Sequence, residues 1–579
     1  MLKTLFSLVG KYKKATILTP IIVSFEVIID VLIPYVTASL IDKGINIGNI
    51  QNVYFYGALM VLMAFLSLGA GILAGRNSAY ASTGFAFNLR SAMYKNIQTF
   101  SFADIDKFST ASLVTRMTAD TSNLQRTFQM LMRITVKAPF TLIFSIIMCF
   151  IINAKLSIIF VIALALLSGF LIFILKRVSK IFQQVFQKYD DLNANIEENV
   201  SAIREVKAFV REDFENQKFS KTSIALYKLY VKAESLMATN GPFMNMIVYA
   251  CIIALSWWGA KFIVAGQLTT GQLTSLLAYI MSILGSLMML SMVFVNLSMS
   301  QASGKRVTEV LNHKPEIKED NDCITEISDG SISFKNVDFA YSGSTNNSLS
   351  NINLDIKSGE TIGIIGGNGS GKSTLVNLIS RLYDVSSGEL LVGGINVKKY
   401  NKTVLRSNVA VVLQNNILFA GTILENLRWG KSDATIEECQ KACKLAAADE
   451  FILNMQDGYN SMLNTNASNI SGGQKQRLCI ARALLKKPKI LILDDSTSAC
   501  DAVTDKKIRE ALKNNIPNVT KLIIAQRVSS IKDCNKILVL ENGNISGFDT
   551  HDNLMKTNKI YSEIAELQAN AGADFDKPE

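Results

Sequence analysis

Six runs of apolar residues dominate the first half of the chain, at about residues 15–40, 54–76, 132–152, 156–176, 242–263 and 272–298. Each provides roughly the 20 residues an α-helix needs to cross the hydrocarbon core of a bilayer at about 1.5 Å per residue. Between the second and third runs, and again between the fourth and fifth, the helical period continues but the sequence turns polar for roughly fifty to sixty-five residues. Each such stretch can run out and back as two arms of roughly 25 residues, about 40 Å long. The pattern predicts helical stalks outside the bilayer. Their turning points fall around Phe102 to Thr110 and Phe209 to Asn216, where aromatic and charged residues keep a helical spacing suited to a short helix across the tip.

Past about residue 310 the pattern changes. A polar linker, His313 to Gly330, gives way to short β-rich segments alternating with helices, which predicts an α/β domain with a largely parallel core sheet. The expected organisation is a six-span α-helical membrane domain over 1–312, a linker over 313–330, an α/β P-loop domain with a helical subdomain over 331–565, and a polar tail over 566–579. The average composition, 49% hydrophobic and 18% charged, conceals this split.

Charge fixes the orientation. Arg90, Lys95, Arg116, Arg126, Lys176, Arg177, Lys180, Arg204, Lys207 and Arg211 lie on the polar stalk segments, whereas the short opposite loops contribute Lys43, Lys155 and Lys261. By the positive-inside rule both termini and the soluble domain are cytoplasmic, as in a bacterial plasma-membrane protein. The net charge of +11 is therefore topological, and no basic stripe interleaved with aromatics points to nucleic acid. Lys3, Lys11, Lys13 and Lys14 precede the first apolar run without a small-residue cleavage site, so that run is expected to remain as the first span. The eight cysteines have no CxxC spacing, and Cys439 and Cys443 share a helix face without other ligands, which argues for reduced thiols rather than a metal.

Chemistry enters at Gly366 to Ser373, GGNGSGKS, after an apolar strand and at the start of a helix. This is the context in which GxxxxGK[ST] binds phosphates: backbone N–H groups from Gly366, Asn368, Gly369, Ser370, Gly371 and Thr374 surround them, Lys372 reaches the β- and γ-phosphates, and Ser373 ligates Mg²⁺. About 120 residues on, ILILD ends in Asp494, suited to holding the magnesium shell through water.

Between these sites lies Ser471 to Gln474 in the run NISGGQKQR, which resembles the signature of ATP-binding cassette (ABC) proteins, with Ile470 where Leu is usual. Tyr341 resembles the aromatic that stacks on adenine, Gln414 the glutamine that senses magnesium and the membrane domain, and Ser498 to Asp501 the loop joining the two sites. With six spans, stalks and a C-terminal cassette, the resemblance to an ABC exporter half-transporter covers nearly the whole chain. It implies ATP and Mg²⁺ as cofactors, with Ser373, Gln414 and Asp494 around the metal. It also implies a second cassette, because each ATP lies between one chain's phosphate loop and the other's Ser471, Gly472, Gly473 and Gln474.

Two positions depart from the family. Asp495 stands where Glu is usual as the base for attacking water, one methylene short, and a misplacement of about 1 Å can cost on the order of 10²-fold in rate. Gln526 stands where the switch histidine is usual, and the chain's two histidines, His313 and His551, lie elsewhere. Asp495 in a relaxed backbone could still serve, but both departures together resemble the degenerate-site subunit of a heterodimeric multidrug-type exporter, whose partner supplies Glu and His. A third departure is Asn464 to Ala467, NTNA, where exporters often carry a Gly-Glu loop touching the stalks.

Along the transport path, Glu26 and Asp30 share a face of the first span. Carboxylates at that depth either attract cationic cargo or make a packing contact with another span. Met281, Met288, Met292 and Met299 share a face of the sixth, suited to adaptable apolar recognition or to ordinary packing. Arg133 and Lys137 face either anionic lipid or substrate, or snorkel. The expected function is one subunit of an exporter of hydrophobic or amphipathic compounds, embedded in the lipid bilayer. The alternatives are a homodimeric lipid or peptide exporter and an ATP-binding membrane sensor that does not pump.

Overall fold

The computed structural model describes residues 2–318, 322–344, 346–496 and 500–573, and the chain divides into two compact units. The first comprises Met1–Gln98 with Ala111–His313, the second Thr99–Thr110 with Lys314–Glu579.

The first unit is helical. Six helical segments are long and apolar enough to cross a membrane: Gly10–Ile45, Ile50–Ile97, Thr110–Ile152, Ala154–Ser201, Glu212–Val264 and Thr270–Asn312. The segments are 36 to 53 residues long, so most run well beyond the length of a span; the fifth is two helices, Glu212–Ala238 and Asn240–Val264, meeting at Thr239. The starts are written in the sequence: the Asn49 side chain accepts from the N–H groups of Gln51 and Asn52, Asn153 does the same for Lys155 and Leu156, and Thr269 pairs with Gln272 in a capping box. Short π-helical turns at Ile41–Ile45 and Arg116–Asp120 interrupt the regular winding. Tyr279, wholly buried, donates to the Val31 carbonyl at 2.6 Å and ties the last span to the first.

The first stalk tip holds a short helix, Phe102–Phe108, closed at its start by a capping box between Ser101 and Asp104. Asp106 accepts from the Tyr383 hydroxyl at 2.7 Å, and the Asp104 carboxylate accepts from the Glu316 N–H, so the tip is part of the second unit. The second tip differs from expectation. Its short helix is Ile203–Ala208, before Phe209 rather than across Phe209 to Asn216. Val210, at φ 51°, turns the chain, and the acidic run Glu212, Asp213 and Glu215 then opens the next long helix, where the helix dipole favours negative charge.

The second unit is built on a six-stranded sheet in the order Asn544–Asp549, Lys536–Glu541, Thr361–Gly366, Thr520–Ile524, Ile490–Asp494 and Val409–Val412. Only the first pair is antiparallel. Central strands covered on both faces read as unbroken apolar runs, and Ile490–Asp494 is buried at every position. A four-stranded antiparallel sheet, Leu349–Ile356, Ile332–Phe339, Ser387–Val392 and Ile395–Asn396, packs its apolar residues into a common core with the helix Lys372–Ile379. The helical part includes Ile436–Leu445 and Gly472–Leu485, with Cys439, Cys443 and Cys479 buried in its core. The tail expected from residue 566 is instead helical to Ala573, within Lys559–Ala573.

Candidate nucleotide site

Two neighbouring parallel strands, Thr361–Gly366 and Thr520–Ile524, and a third, Ile490–Asp494, end on the same side of the sheet and carry the site. The phosphate loop leaves the first. Gly371 has φ 96°, and a Cβ there would stand 2.7 Å from the Leu349 side chain and 2.8 Å from the Ser348 carbonyl, so only glycine fits the turn into Lys372–Ile379. Lys372 folds back over the loop and donates to the carbonyls of Gly366 at 3.0 Å and Gly367 at 2.7 Å. Burial holds its ammonium below the ordinary lysine range, partly offset by Asp494 and Asp495. A cation held at the mouth of a glycine loop, beside a helix N-terminus, fits a polyphosphate.

Ser373 donates to Asp494 Oδ1 at 3.2 Å, so a hydroxyl and a buried carboxylate converge as an oxygen set of the kind a hard divalent cation takes. Burial raises the Asp494 carboxyl, the Ser373 hydrogen bond opposing the shift. Tyr341 lies within 3.0 Å of the Thr374 hydroxyl through its own, and meets Phe339 and Tyr383 edge-on, which fixes its ring beside the loop. Gln414 is exposed after Val409–Val412, its side chain making no hydrogen bond among the described residues.

One residue past Asp494 the chain turns. Asp495 adopts φ 48°, a left-handed conformation that Asp tolerates better than most residues, and its N–H donates to the Ile524 carbonyl at 3.1 Å. Its Oδ2 accepts from Gln526 Nε2 at 2.8 Å. The two positions that depart from the family therefore hold each other. Burial pushes the Asp495 carboxyl up, against the Gln526 bond. Gln526 is held in turn by Gln568, which donates to its carbonyl at 2.8 Å and accepts from the Val528 N–H at 2.8 Å. Nothing in the sequence signals Gln568, in a stretch read as tail.

The signature residues stand apart. Ser471 caps Gly472–Leu485 in a reciprocal box with Gln474, leaving Ser471 and Gly472 exposed. No hydrogen bond joins Ser471–Gln474 to the phosphate loop among the described residues. Asp501 caps Ala502–Asn515, accepting from the Thr504 N–H and hydroxyl, while Ser498 and Ala499 lie outside the described residues. His551 bonds Tyr561 at 2.7 Å, a contact within the C-terminal helices, and Asn464 to Ala467 form a tight turn with Asn466 and Ala467 at positive φ.

Comparison with known proteins agrees with this architecture. The family pattern for the ABC transporter transmembrane region matches residues 16–287, and that described as ABC transporter matches residues 349–498. The chain is 34% identical over 543 residues to the ABC transporter ATP-binding protein YfiB of Bacillus subtilis, covering 94% of each. The chain belongs to the ABC transporter family. It is also 33% identical over 546 residues to the ABC transporter ATP-binding protein Rv1273c of Mycobacterium tuberculosis, covering 93% of each. A solved bacterial Atm1-family ABC exporter with ATP bound has the same fold, with a TM-score of 0.81, 23% identity and 96% and 98% of the two chains covered. This ABC transporter is thus an integral membrane protein whose spans and ATP-binding domain share one chain.

In the transporter's membrane unit, the expected path residues separate. Glu26 and Asp30 do not stand as open carboxylates: Lys137 Nζ bonds Glu26 at 2.6 Å and Asp30 at 3.3 Å, and the Ser67 hydroxyl bonds Asp30 at 2.6 Å. The two acids thus contact the second and third spans, and Glu26 also lies in a cavity wall. A cavity of about 1850 Å³ is lined by Glu26, Lys137, Arg133 and Met292 among others, and Met281, Met288 and Asp30 are not in its wall. The Met299 side chain lies outside the described residues.

Proposed function

We propose that the chain is one half of an ATP-driven exporter of hydrophobic or amphipathic compounds, and that its own nucleotide site holds ATP with Mg²⁺ while its signature completes a more competent site on a partner cassette bearing Glu and His. The observation that carries the reading is the bond between Asp495 and Gln526 beside an intact set of Lys372, Ser373 and Asp494.

Lys372 and the loop amides would hold phosphate charge, and Ser373 with Asp494 would hold the metal, with Gln414 positioned by its loop to complete the shell. Bound nucleotide supplies the free energy of phosphoanhydride hydrolysis. At the water side, a carboxylate one methylene shorter than Glu and oriented toward Gln526 is displaced from the place of an attacking water's base, and Gln cannot carry the charge of an imidazolium. The exposed N-terminus at Ser471, which has no hydrogen bond to its own chain's phosphate loop among the described residues, supports a head-to-tail second cassette. The stalk tip Thr99–Thr110, built into the unit of the ATP-binding domain through Asp106 and Tyr383, supports mechanical coupling to the spans. The fused architecture supports export, across a bacterial plasma membrane with the cassette in the cytoplasm.

Purified alone, the chain is expected to bind ATP and turn it over slowly, and its ATPase should rise when a Glu- and His-bearing half-transporter is co-expressed. Robust hydrolysis by the isolated chain, surviving Asp495→Asn, would remove the unequal-site reading.

A further inference from the structure

The cavity wall is strongly one-signed. Among the described residues its charged members are Arg126, Arg133, Lys137, Lys176, Lys180 and Arg306 against one acid, Glu26. Lys137 is answered by Glu26 and Asp30, and Arg306 by Asp120, which accepts from its Nε at 2.7 Å. That leaves Arg126, Arg133, Lys176 and Lys180 with no carboxylate partner among the described residues.

Positions 126, 133 and 137 are separated by seven and four residues, so they share one face of Thr121–Ile152, and Lys176 and Lys180 share a face of Ala154–Ser201. The track from Arg126 to Lys137 rises about 16 Å along its helix. Arg133 stands at the start of the third apolar run and turns its guanidinium toward Gly75 of the second long helix. Beside the track the same wall is apolar, with Leu171, Ile174, Met289, Met292 and Val295. Unanswered cations near hydrocarbon repel one another and raise the energy of the empty cavity, which an anion lowers, and arginine's planar fork favours carboxylate, phosphate or sulfonate.

We infer that the cavity takes amphipathic anions, an apolar body bearing a phosphate, carboxylate or sulfonate group, with Arg126 and Arg133 receiving the charge. The inference rests on the export reading for its biological sense, because it names that exporter's cargo class. The anion could be a lipid of the bilayer or a dissolved amphiphile.

The test uses the full chain in phosphatidylcholine nanodiscs without nucleotide. Equilibrium binding of decyl phosphate and of decyltrimethylammonium is measured, with empty discs subtracted. Decyl phosphate should bind at least about tenfold more tightly, weakening as NaCl rises, and Arg126→Gln with Arg133→Gln should remove roughly tenfold of that affinity. Arg126→Lys with Arg133→Lys, which keeps the charge, should retain most of the preference and guards against misfolding of the neutral variant. Equal binding of the two probes, or a preference unchanged in a folded double-Gln variant, overturns the inference. Discs containing phosphatidylglycerol identify the source: loss of decyl phosphate binding assigns a bilayer lipid, and unchanged binding assigns a dissolved amphiphile, both within the anion class. An assembled complex that exports neutral or cationic amphiphiles while the chain binds no decyl phosphate overturns this inference and leaves export standing. Selective anion binding by a chain whose complex transports nothing does the reverse.

Discussion

Two ends of one active-site edge, a single residue apart, have opposite characters. At Asp494 a buried carboxylate faces Ser373, with Lys372 over the glycine loop, an arrangement suited to holding nucleotide. At Asp495 the carboxylate is bonded to Gln526. Retention is set by backbone amides, a cation and an oxygen pair. Hydrolysis needs a base and a switch whose positions and protonation match the attacking water, and it can be lost by small changes that leave retention alone.

The sharpest test of that contrast addresses the surface this chain lends rather than the site it owns. Ser471→Arg should lower ATP turnover of the assembled complex by at least about 100-fold, since a bulky cation occupies the seat of the partner's γ-phosphate. Steady-state phosphate release measures it, and a complex that keeps near-normal turnover would break the division of labour. Next in size, Lys372→Ala should weaken nucleotide binding at this chain's loop by roughly tenfold or more, read by nucleotide photolabelling of the chain, while complex turnover falls much less than with Ser471→Arg. Equal losses in the two variants would indicate two equivalent sites.

A smaller effect runs the other way. Asp495→Glu together with Gln526→His should raise turnover of the isolated chain about tenfold, and each change alone should do much less, because the residues are bonded and their effects are not additive. The smallest is Gln568→Ala, which frees the Gln526 carbonyl and the Val528 N–H. It should cost about 1 kcal/mol, or a Tm lower by roughly 2–4 °C, read by thermal unfolding of the ATP-binding domain's transition.

How much of this was legible beforehand depends on the range over which each feature is encoded. The strand Ile490–Asp494 and the phosphate loop are local patterns whose spacing is imposed by phosphate geometry, and both lie where the sequence places them. Helix starts at Asn49, Asn153 and Thr269 are local as well. The turn at the second stalk tip lies in the expected stretch, at Val210, but the short helix falls before it, because the chain leaves Ile203–Ala208 through a backbone region at Val210 that β-branched residues rarely adopt. Lys137 is legible, with Arg133, as a cation near the inner end of a span, but its partners are more than a hundred residues away and depend on how three helices pack. Gln568 had no signal, since a glutamine in a polar C-terminal helix reads as solvated surface.

The ion cluster in the membrane unit also has a bearing on how the protein is made. Glu26 and Asp30 emerge from the ribosome well ahead of Lys137, the separations being 111 and 107 residues. At about 5–20 residues per second that interval is on the order of 5–20 s. During it, the first span carries two acids that cost about 2.5–3.5 kcal/mol when charged at mid-bilayer on insertion scales, with only Ser67 of the second span arriving sooner. Partition of the first span into lipid is therefore less favourable until the third arrives, and Lys137 then offsets the cost of those acids.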